Sequence, residues 1–371
     1  MTASISRERT PDGRQAWLVR GHPEVTELLL DPRLAIQPPS GAVRSWFPDS
    51  PMSRIMLRMA ERAVPEGGSH GAERDRRRDS IRQMLARDAV RRLSPDVQAF
   101  ADELVDTLVE AGPPADLSQA YSVPLCARVA CALLAVPAQD MLKFRQWAAD
   151  KESSDYRRAA LSLRDMTRYV TSLIERAKRE PGDDVASHLV SVAGGDAEHE
   201  ALTAEILSWI LSLGWQVPAA ALETGLRLFL SHPEQRRLLS EEPELLATAA
   251  EEVLRLFKFI PDEVGGVDRF PLEDMEVDGQ RLCQGDLVVL DVSAANRDPD
   301  VFAEPAEFDI RRTPNHHLTF GRGAYYCHFS RVARQEIALG MATVLRRLPG
   351  LRLADAGTPG LTVTWDDPPP A

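Results

Sequence analysis

The chain has 371 residues, 44% hydrophobic and 27% charged, which is the profile of an ordinary globular protein and not of a disordered one. A formal net charge of −12 argues against non-specific nucleic-acid binding. Only four cysteines, Cys126, Cys131, Cys283 and Cys327, exclude a disulfide scaffold in a chain this long, and their lack of CxxC spacing argues against a zinc ribbon or a thioredoxin-type site.

The start, Met1 to Arg14, carries both charge signs and no apolar stretch, so no signal peptide is expected. From about Ala72 to Leu254 nearly every segment has a 3.6-residue apolar rhythm, as in the stripes Ala99, Leu104, Leu108 and Met166, Tyr169, Leu173. Gly112-Pro113-Pro114 and Pro181-Gly182-Asp183 punctuate this helical region. Its most apolar windows, Val123–Pro137 and Ile206–Leu222, are interrupted by Arg128 and by Gln216 with Pro218. They read as buried helices, and no membrane span is expected. Beyond Lys258 the pattern changes to short β-prone runs: Val264–Val267, Met275–Val277, Gln280–Cys283 and Leu287–Val292, with Gly279 and Gly285 as turns. Helix returns at about Ser330–Arg347, and the Pro-rich tail 366–371 reads as frayed. With no internal repeat and no linker, the expectation is one large, mainly α domain over residues 1–371 with a small β part. The thiols fit a reducing cytoplasm.

Two segments carry chemistry. The first is His317-Leu-Thr-Phe-Gly-Arg-Gly-Ala-Tyr-Tyr-Cys327. A thiolate that ligates iron needs a rigid loop with backbone amides aimed at its sulfur. Gly321 and Gly323 permit the tight turn, and a helix starting after Cys327 would turn its positive end towards the thiolate. A plain buried cysteine after a glycine turn fits equally well. The second segment is Glu252-Val-Leu-Arg255, a compatible i,i+3 pair that on a surface is worth only ~0.3 kcal/mol. It precedes Ala295-Asn296-Arg297-Asp298-Pro299, Phe302, Phe308-Asp309 and then the cysteine loop.

That ordered set resembles the cytochrome P-450 superfamily, the haem-thiolate monooxygenases, and specifically their soluble bacterial members. The resemblance covers nearly the whole chain. Pro11-Asp12-Gly13 with Trp17-Leu18-Val19 looks like the family's opening strand, Asp31-Pro32-Arg33 like the turn after the first helices, and Pro181-Gly182-Asp183-Asp184 like the turn after the G helix. By resemblance, Glu252 and Arg255 are the structural ExxR pair and Arg269 binds a haem propionate. Phe320, Gly321, Gly323 and Cys327 match the FGxGxxxC signature, with Cys327 the iron ligand of haem b (iron protoporphyrin IX). The rival metal reading, a zinc set of His316, His317, Cys327 and His328, fits no usual ligand spacing.

Departures from the family pattern bear on mechanism. Over the haem, the family's central helix carries an acid–alcohol pair; here the matching catalytic positions are Gln216 and Val217, followed by Pro218. Gln cannot deliver a proton by titrating, and proline should kink the helix by itself. The C-helix propionate pair aligns to Arg74 and Arg78, with His70 one turn earlier. Tyr325 stands at another propionate-binding position, and Phe329 replaces a glycine that lets the next helix approach the haem.

These residues imply a cytoplasmic haem-thiolate oxidoreductase oxidising a small or carrier-bound natural-product intermediate by a substrate-assisted or otherwise atypical route. A ferredoxin-type donor would supply electrons, since no flavin or nucleotide fingerprint is present, docking on arginines such as Arg87, Arg91, Arg331 or Arg334; ordinary surface charge explains those equally well. Two alternatives stand beside this reading. One is a peroxide-driven or non-oxygenating haem enzyme catalysing coupling, dehydration or rearrangement. The other is a haem-free scaffold that activates a partner enzyme.

Overall fold

A computed structural model describes residues 4–9, 15–36, 85, 87–151, 155–193, 195, 197–258, 266–354 and 360–366. Arg74, Arg78, His70, Pro11-Asp12-Gly13, Val264 and the tail beyond residue 366 lie outside the described residues, as do the side chains of Arg87 and Arg91. In chain order the helices are α1 (His22–Leu30), α2 (Arg87–Ala111), α3 (Val123–Leu133), α4 (Met141–Lys151), α5 (Tyr156–Arg179), α6 (Val185–Ala193), α7 (Ala197–Leu213), α8 (Gln216–Ser231), α9 (Pro233–Glu241), α10 (Leu246–Leu256), α11 (Val292–Ala295) and α12 (Ser330–Arg347). The strands are β1 (Ile5–Arg9), β2 (Gln15–Val19), β3 (Leu34–Ala35), β4 (Ala115–Asp116), β5 (Val267–Pro271), β6 (Met275–Val277), β7 (Gln280–Leu282), β8 (Val288–Leu290), β9 (Arg352–Leu353) and β10 (Thr362–Thr364). This is the mainly α architecture with a small β part that the sequence pattern implies. Two compact units divide it: the described residues of Met1–Arg76 with Glu251–Cys327, and those of Arg77–Ala250 with His328–Ala371.

The first unit is built on a sheet of order β1-β2-β8-β5-β3. β2 pairs parallel with β8, Trp17 opposite Val288 and Val19 opposite Leu290, and β5 pairs antiparallel with β8. Successive side chains on a strand point to opposite faces. Trp17, Val19, Val288 and Leu290 therefore pack with Val25, Leu28 and Leu29 of α1, while Ala16, Leu18, Phe270 and Val289 form a second cluster. With both faces covered, the strands read as continuous apolar runs. β6 and β7 form a hairpin whose central Asp278 and Gly279 both have positive φ, 49° and 72°, the conformation a right-twisted two-residue turn requires. Of the first expected β run, Val267 is described and opens a strand that continues to Pro271. Cys283 falls just after β7 and is exposed, not held in an apolar strand as its sequence surroundings imply.

The second unit is helical, with a small sheet of order β4-β10-β9. α5 is capped by Asp155, whose carboxylate accepts from the amides of Arg157 and Arg158, and ends with Arg176, Lys178 and Arg179 complementing the helix dipole. Of the expected stripe Met166, Tyr169, Leu173 only Leu173 is fully buried, the other two being half-buried, and Val170, Ile174 and Ala177 complete the buried face. A π-helical turn, Ser118–Ser122, leads into α3, and the Tyr121 hydroxyl donates to the Gly340 carbonyl at 2.9 Å. Gly340 permits close packing: a Cβ there would meet Leu222 at 2.9 Å and Leu125 at 3.0 Å. The window Ile206–Leu222 is not one helix, because α7 stops at Leu213 and α8 starts at Gln216. No helix among the described residues is long and apolar enough to cross a membrane.

Candidate functional site

Glu252 and Arg255 lie on α10 and are completely buried. The guanidinium grips the carboxylate twice, Nε to Oε2 at 2.7 Å and Nη2 to Oε1 at 2.8 Å. Its remaining N–H groups donate to the carbonyls of Asn296 (3.0 Å), Pro305 (2.7 Å) and Glu307 (2.9 Å). The five donors of the arginine are thus all satisfied. Glu252 also accepts from Arg312 Nε at 3.1 Å, Asn315 Nδ2 at 3.0 Å and the Asp309 amide at 3.2 Å. The burial excludes the weak surface pair and makes this the knot that holds the meander 296–315 on α10.

The cysteine loop hangs from the same knot. Asn296 is fully buried; its side chain accepts from the Leu318 amide at 2.7 Å and donates to Thr319 Oγ1 at 2.9 Å. Thr319 Oγ1 donates in turn to the Leu254 carbonyl of α10 at 2.7 Å. The His317 ring sits 2.8 Å from the Glu251 carboxylate, and the His316 carbonyl lies 2.9 Å from His22 Nε2. The His317 ring is thus engaged with Glu251, the His316 side chain is exposed, and no group of three or more His, Cys, Asp or Glu among the described residues could hold a metal ion.

Beyond Thr319 the chain turns back on itself. Gly321 (φ +68°) and Gly323 (φ +62°) adopt the left-handed conformation, and the Cys327 amide donates to the Phe320 carbonyl at 2.8 Å. At Gly323 a Cβ would also meet the Leu29 carbonyl at 3.1 Å and Leu30 Cδ2 at 3.0 Å. Two requirements, φ and space, thus fix that glycine. Cys327 is half-buried at the end of the loop. In the second unit, Phe329 precedes the first residue of α12 without disturbing it; its carbonyl accepts from Ala333 at 2.9 Å.

The donor set suits a dicarboxylate cofactor. Arg269 on β5 is buried, and its guanidinium lies 4.9 Å from the Tyr325 ring centre. Burial pushes it down to about 10, so it stays charged at neutral pH. Its Nη1 donates to the neighbouring Asp268 carbonyl at 2.8 Å, and no carboxylate accepts from it among the described residues. Arg322 Nε, between the two loop glycines, is likewise buried without an acceptor. Buried cations of this kind need an anion. The propionates of a haem are such anions, so these residues fit the group that the cysteine loop implies.

On the helix pair α7–α8, the Gln216 side-chain amide is bound to the Ser212 carbonyl and the Trp215 indole N–H to the Leu211 carbonyl at 3.0 Å. Val217 is half-buried and Pro218 buried. The break at 214–215 lies one turn before Pro218, where a proline ring crowds the carbonyl of residue i−4. Arg312, Asn315, Asn296 and Thr319 are the supporting residues that sequence reasoning did not single out.

A glycine loop ending at Cys327, beside the buried Arg269 and the unsatisfied Nε of Arg322, is compatible with a haem-thiolate site. Comparison with known proteins gives the family. The family model Cytochrome P450 matches residues 240–349. Cytochrome P450-SOY of Streptomyces griseus is 34% identical, over 94% of this chain and 83% of its own length. Nocardicin C N-oxygenase of Nocardia uniformis subsp. tsuyamanensis is 33% identical, over 97% and 88%. The solved structure of PimD, a polyene macrolide antibiotic pimaricin epoxidase, superposes with a TM-score of 0.81 at 30% identity, covering 98% of this chain and 93% of that one. The chain belongs to the cytochrome P450 family and is a haem-thiolate oxidoreductase of that type.

Proposed function

We propose that residues 1–371 form one cytoplasmic haem-b domain that oxidises a small natural-product intermediate, free or carrier-bound, with electrons from a ferredoxin-type partner and with protons supplied by substrate or water. Cys327 is the iron ligand, the Arg269–Tyr325 pair and Arg322 hold propionate oxygens, and α7–α8 carries the positions that match the family's distal helix. Bound there, the haem supplies dioxygen activation at a thiolate-ligated iron, where electron donation by sulfur favours O–O cleavage. Relatives named for nocardicin C and pimaricin support a natural-product substrate.

The observation that carries the atypical proton supply is the engagement of Gln216. Its amide is bound to the Ser212 carbonyl in the last turn of α7, Val217 has no polar side-chain atom, and Pro218 has no N–H. A positioned proton donor typically contributes ~10²–10⁴-fold to a transfer of this kind. None of these three side chains can be that donor. The experiment is the double variant Gln216→Glu with Val217→Thr, prepared after the reduced carbon monoxide spectrum has established a thiolate-ligated haem. Product formed per NADPH consumed through a ferredoxin system is expected to stay unchanged. A large gain in coupling would identify the missing acid–alcohol pair as a defect and would reject a substrate- or water-supplied proton.

A further inference from the structure

Native interiors are close-packed, and an unfilled void costs stability in proportion to its size. The helices α4, α5 and α7 keep such a void. Its wall is almost wholly apolar, made by Phe144, Trp147, Leu163, Met166 and Leu211 with the serines Ser162 and Ser212, and it leaves about 20 Å³ for the centre of a water-sized guest. Polar clamps fix both ends of the α4–α5 seam. Asp150 accepts from Gln146 Nε2 at 2.7 Å, Ser162 Oγ at 2.9 Å and Arg158 Nε at 2.8 Å. Asp140, just before α4, accepts from the Tyr169 hydroxyl at 2.8 Å and from Lys143 Nζ at 2.6 Å. Between the clamps the rings of Phe144, Trp147 and Tyr169 pack on one another, with centroids 5.3 to 5.7 Å apart. The seam cannot close over the gap without breaking these contacts. Room of this size admits one small molecule, since roughly 10–15 Å³ suffices for a water, but a buried water needs about two to four polar partners. Here both serine hydroxyls already donate their protons, Ser162 to Asp150 and Ser212 to Met166 Sδ at 3.4 Å. The rings, aliphatic groups and thioether hold a guest by dispersion. The wall therefore selects a small, apolar, polarisable molecule.

We propose that this cavity is a docking site for dioxygen. A diatomic gas with no proton to donate suits both the size and the wall. The choice of dioxygen rests on the reaction proposed above, which consumes it; the fit to an apolar diatomic rests on the cavity alone. Leu211 and Ser212 belong to the last turn of α7, a few residues before Gln216 and Val217 of α8. Apolar gases leave water for apolar surroundings, so the site holds dioxygen against that turn at a higher local concentration than the solvent does.

Two probes test this on the ferric holoprotein. Xenon, an apolar guest that scatters X-rays strongly, is pressed into crystals. Dioxygen, which is paramagnetic, is compared with argon in solution through the relaxation of the methionine methyl groups, the Met166 signal being assigned with Met166→Leu. The expected results are a xenon atom among Phe144, Met166 and Leu211, and a larger dioxygen-induced relaxation at the Met166 methyl than at that of Met141, which is likewise half-buried. Leu163 is half-buried, so a larger side chain there can be accommodated with little strain. Leu163→Trp fills the space and should lose both signals, whereas Leu163→Ala enlarges it and should keep both, which separates filling from misfolding. Xenon absent from the native cavity, an ordered water in its place, or a Met166 methyl relaxed no more than that of Met141 overturns the proposal. So does xenon binding without the dioxygen effect, and so do signals that survive Leu163→Trp or vanish in Leu163→Ala. Both readouts are taken without reduction or turnover. They stand apart from the haem-thiolate reading, which the reduced carbon monoxide spectrum judges on its own.

Discussion

Arg269 illustrates how a single side chain can reveal a missing partner. A guanidinium held at 5% exposure on a strand, against an aromatic ring and without a carboxylate, costs stability in the isolated chain. That cost is offset once a carboxylate arrives, and a charge-assisted bond of this kind is worth ~1.5–3 kcal/mol. Arg269→Ala should therefore raise the rate of haem transfer to an excess of apomyoglobin by about ten- to a hundredfold, the same range converted to a rate. Arg269→Lys should fall between, because an ammonium keeps the charge but not the planar fork. Haem transfer at the native rate from Arg269→Ala would remove Arg269 from the cofactor's ligands. The four cysteines divide by the same reasoning. Burial pushes the thiols of Cys126 and Cys131 up, the latter to about 11, so they stay protonated and inert, whereas Cys327 sits at the end of a constrained loop.

At the scale of elements, the knot around Glu252 joins α10, the meander and the cysteine loop. Breaking a buried pair by removing one partner costs ~3–5 kcal/mol because the other charge is left unpaired. Here Glu252→Ala would strand Arg255 and also deprive Arg312 and Asn315 of their acceptor. The expected outcome is insoluble or haem-poor protein; a folded, haem-loaded variant impaired only in turnover would show that the carboxylate acts in chemistry instead. Much of this level was legible in the sequence. The Glu252–Arg255 spacing, the glycines of the loop and the Asp278-Gly279 hairpin turn are local signals with local causes. What stayed hidden depends on burial that spacing does not encode. Arg311 and Arg312 are adjacent and alike in sequence, yet Arg312 turns inward, 10% exposed, to reach Glu252. The break between α7 and α8 was legible only in part: Pro218 announces a kink, but the indole and amide that repair it reach back by geometry that no propensity carries.

For the molecule as a whole, the pH dependence of stability is set by which ionisable groups differ between the folded and unfolded chain. Glu336 on α12 is 2% exposed, and burial alone drives its carboxyl well above the ordinary value. Glu223 on α8 is shifted the same way, again chiefly by burial. For a group whose folded pKa is raised, the contribution to stability is fully present below the unfolded value near 4.5 and is lost as pH rises towards the folded value. Each such group removes up to ~1.4 kcal/mol per pH unit across that window. Glu336→Gln keeps the shape and a polar terminus but cannot ionise, so it abolishes this slope. Thermal unfolding of the two holoproteins should give similar midpoints at pH 5 and a higher midpoint for the variant at pH 8. Parallel midpoints at both pH values would mean that Glu336 titrates alike in the folded and unfolded chains. A variant less stable at pH 8 than the native protein would mean that the ionised carboxylate is bound by a cation inside the fold, with the opposite sign of linkage.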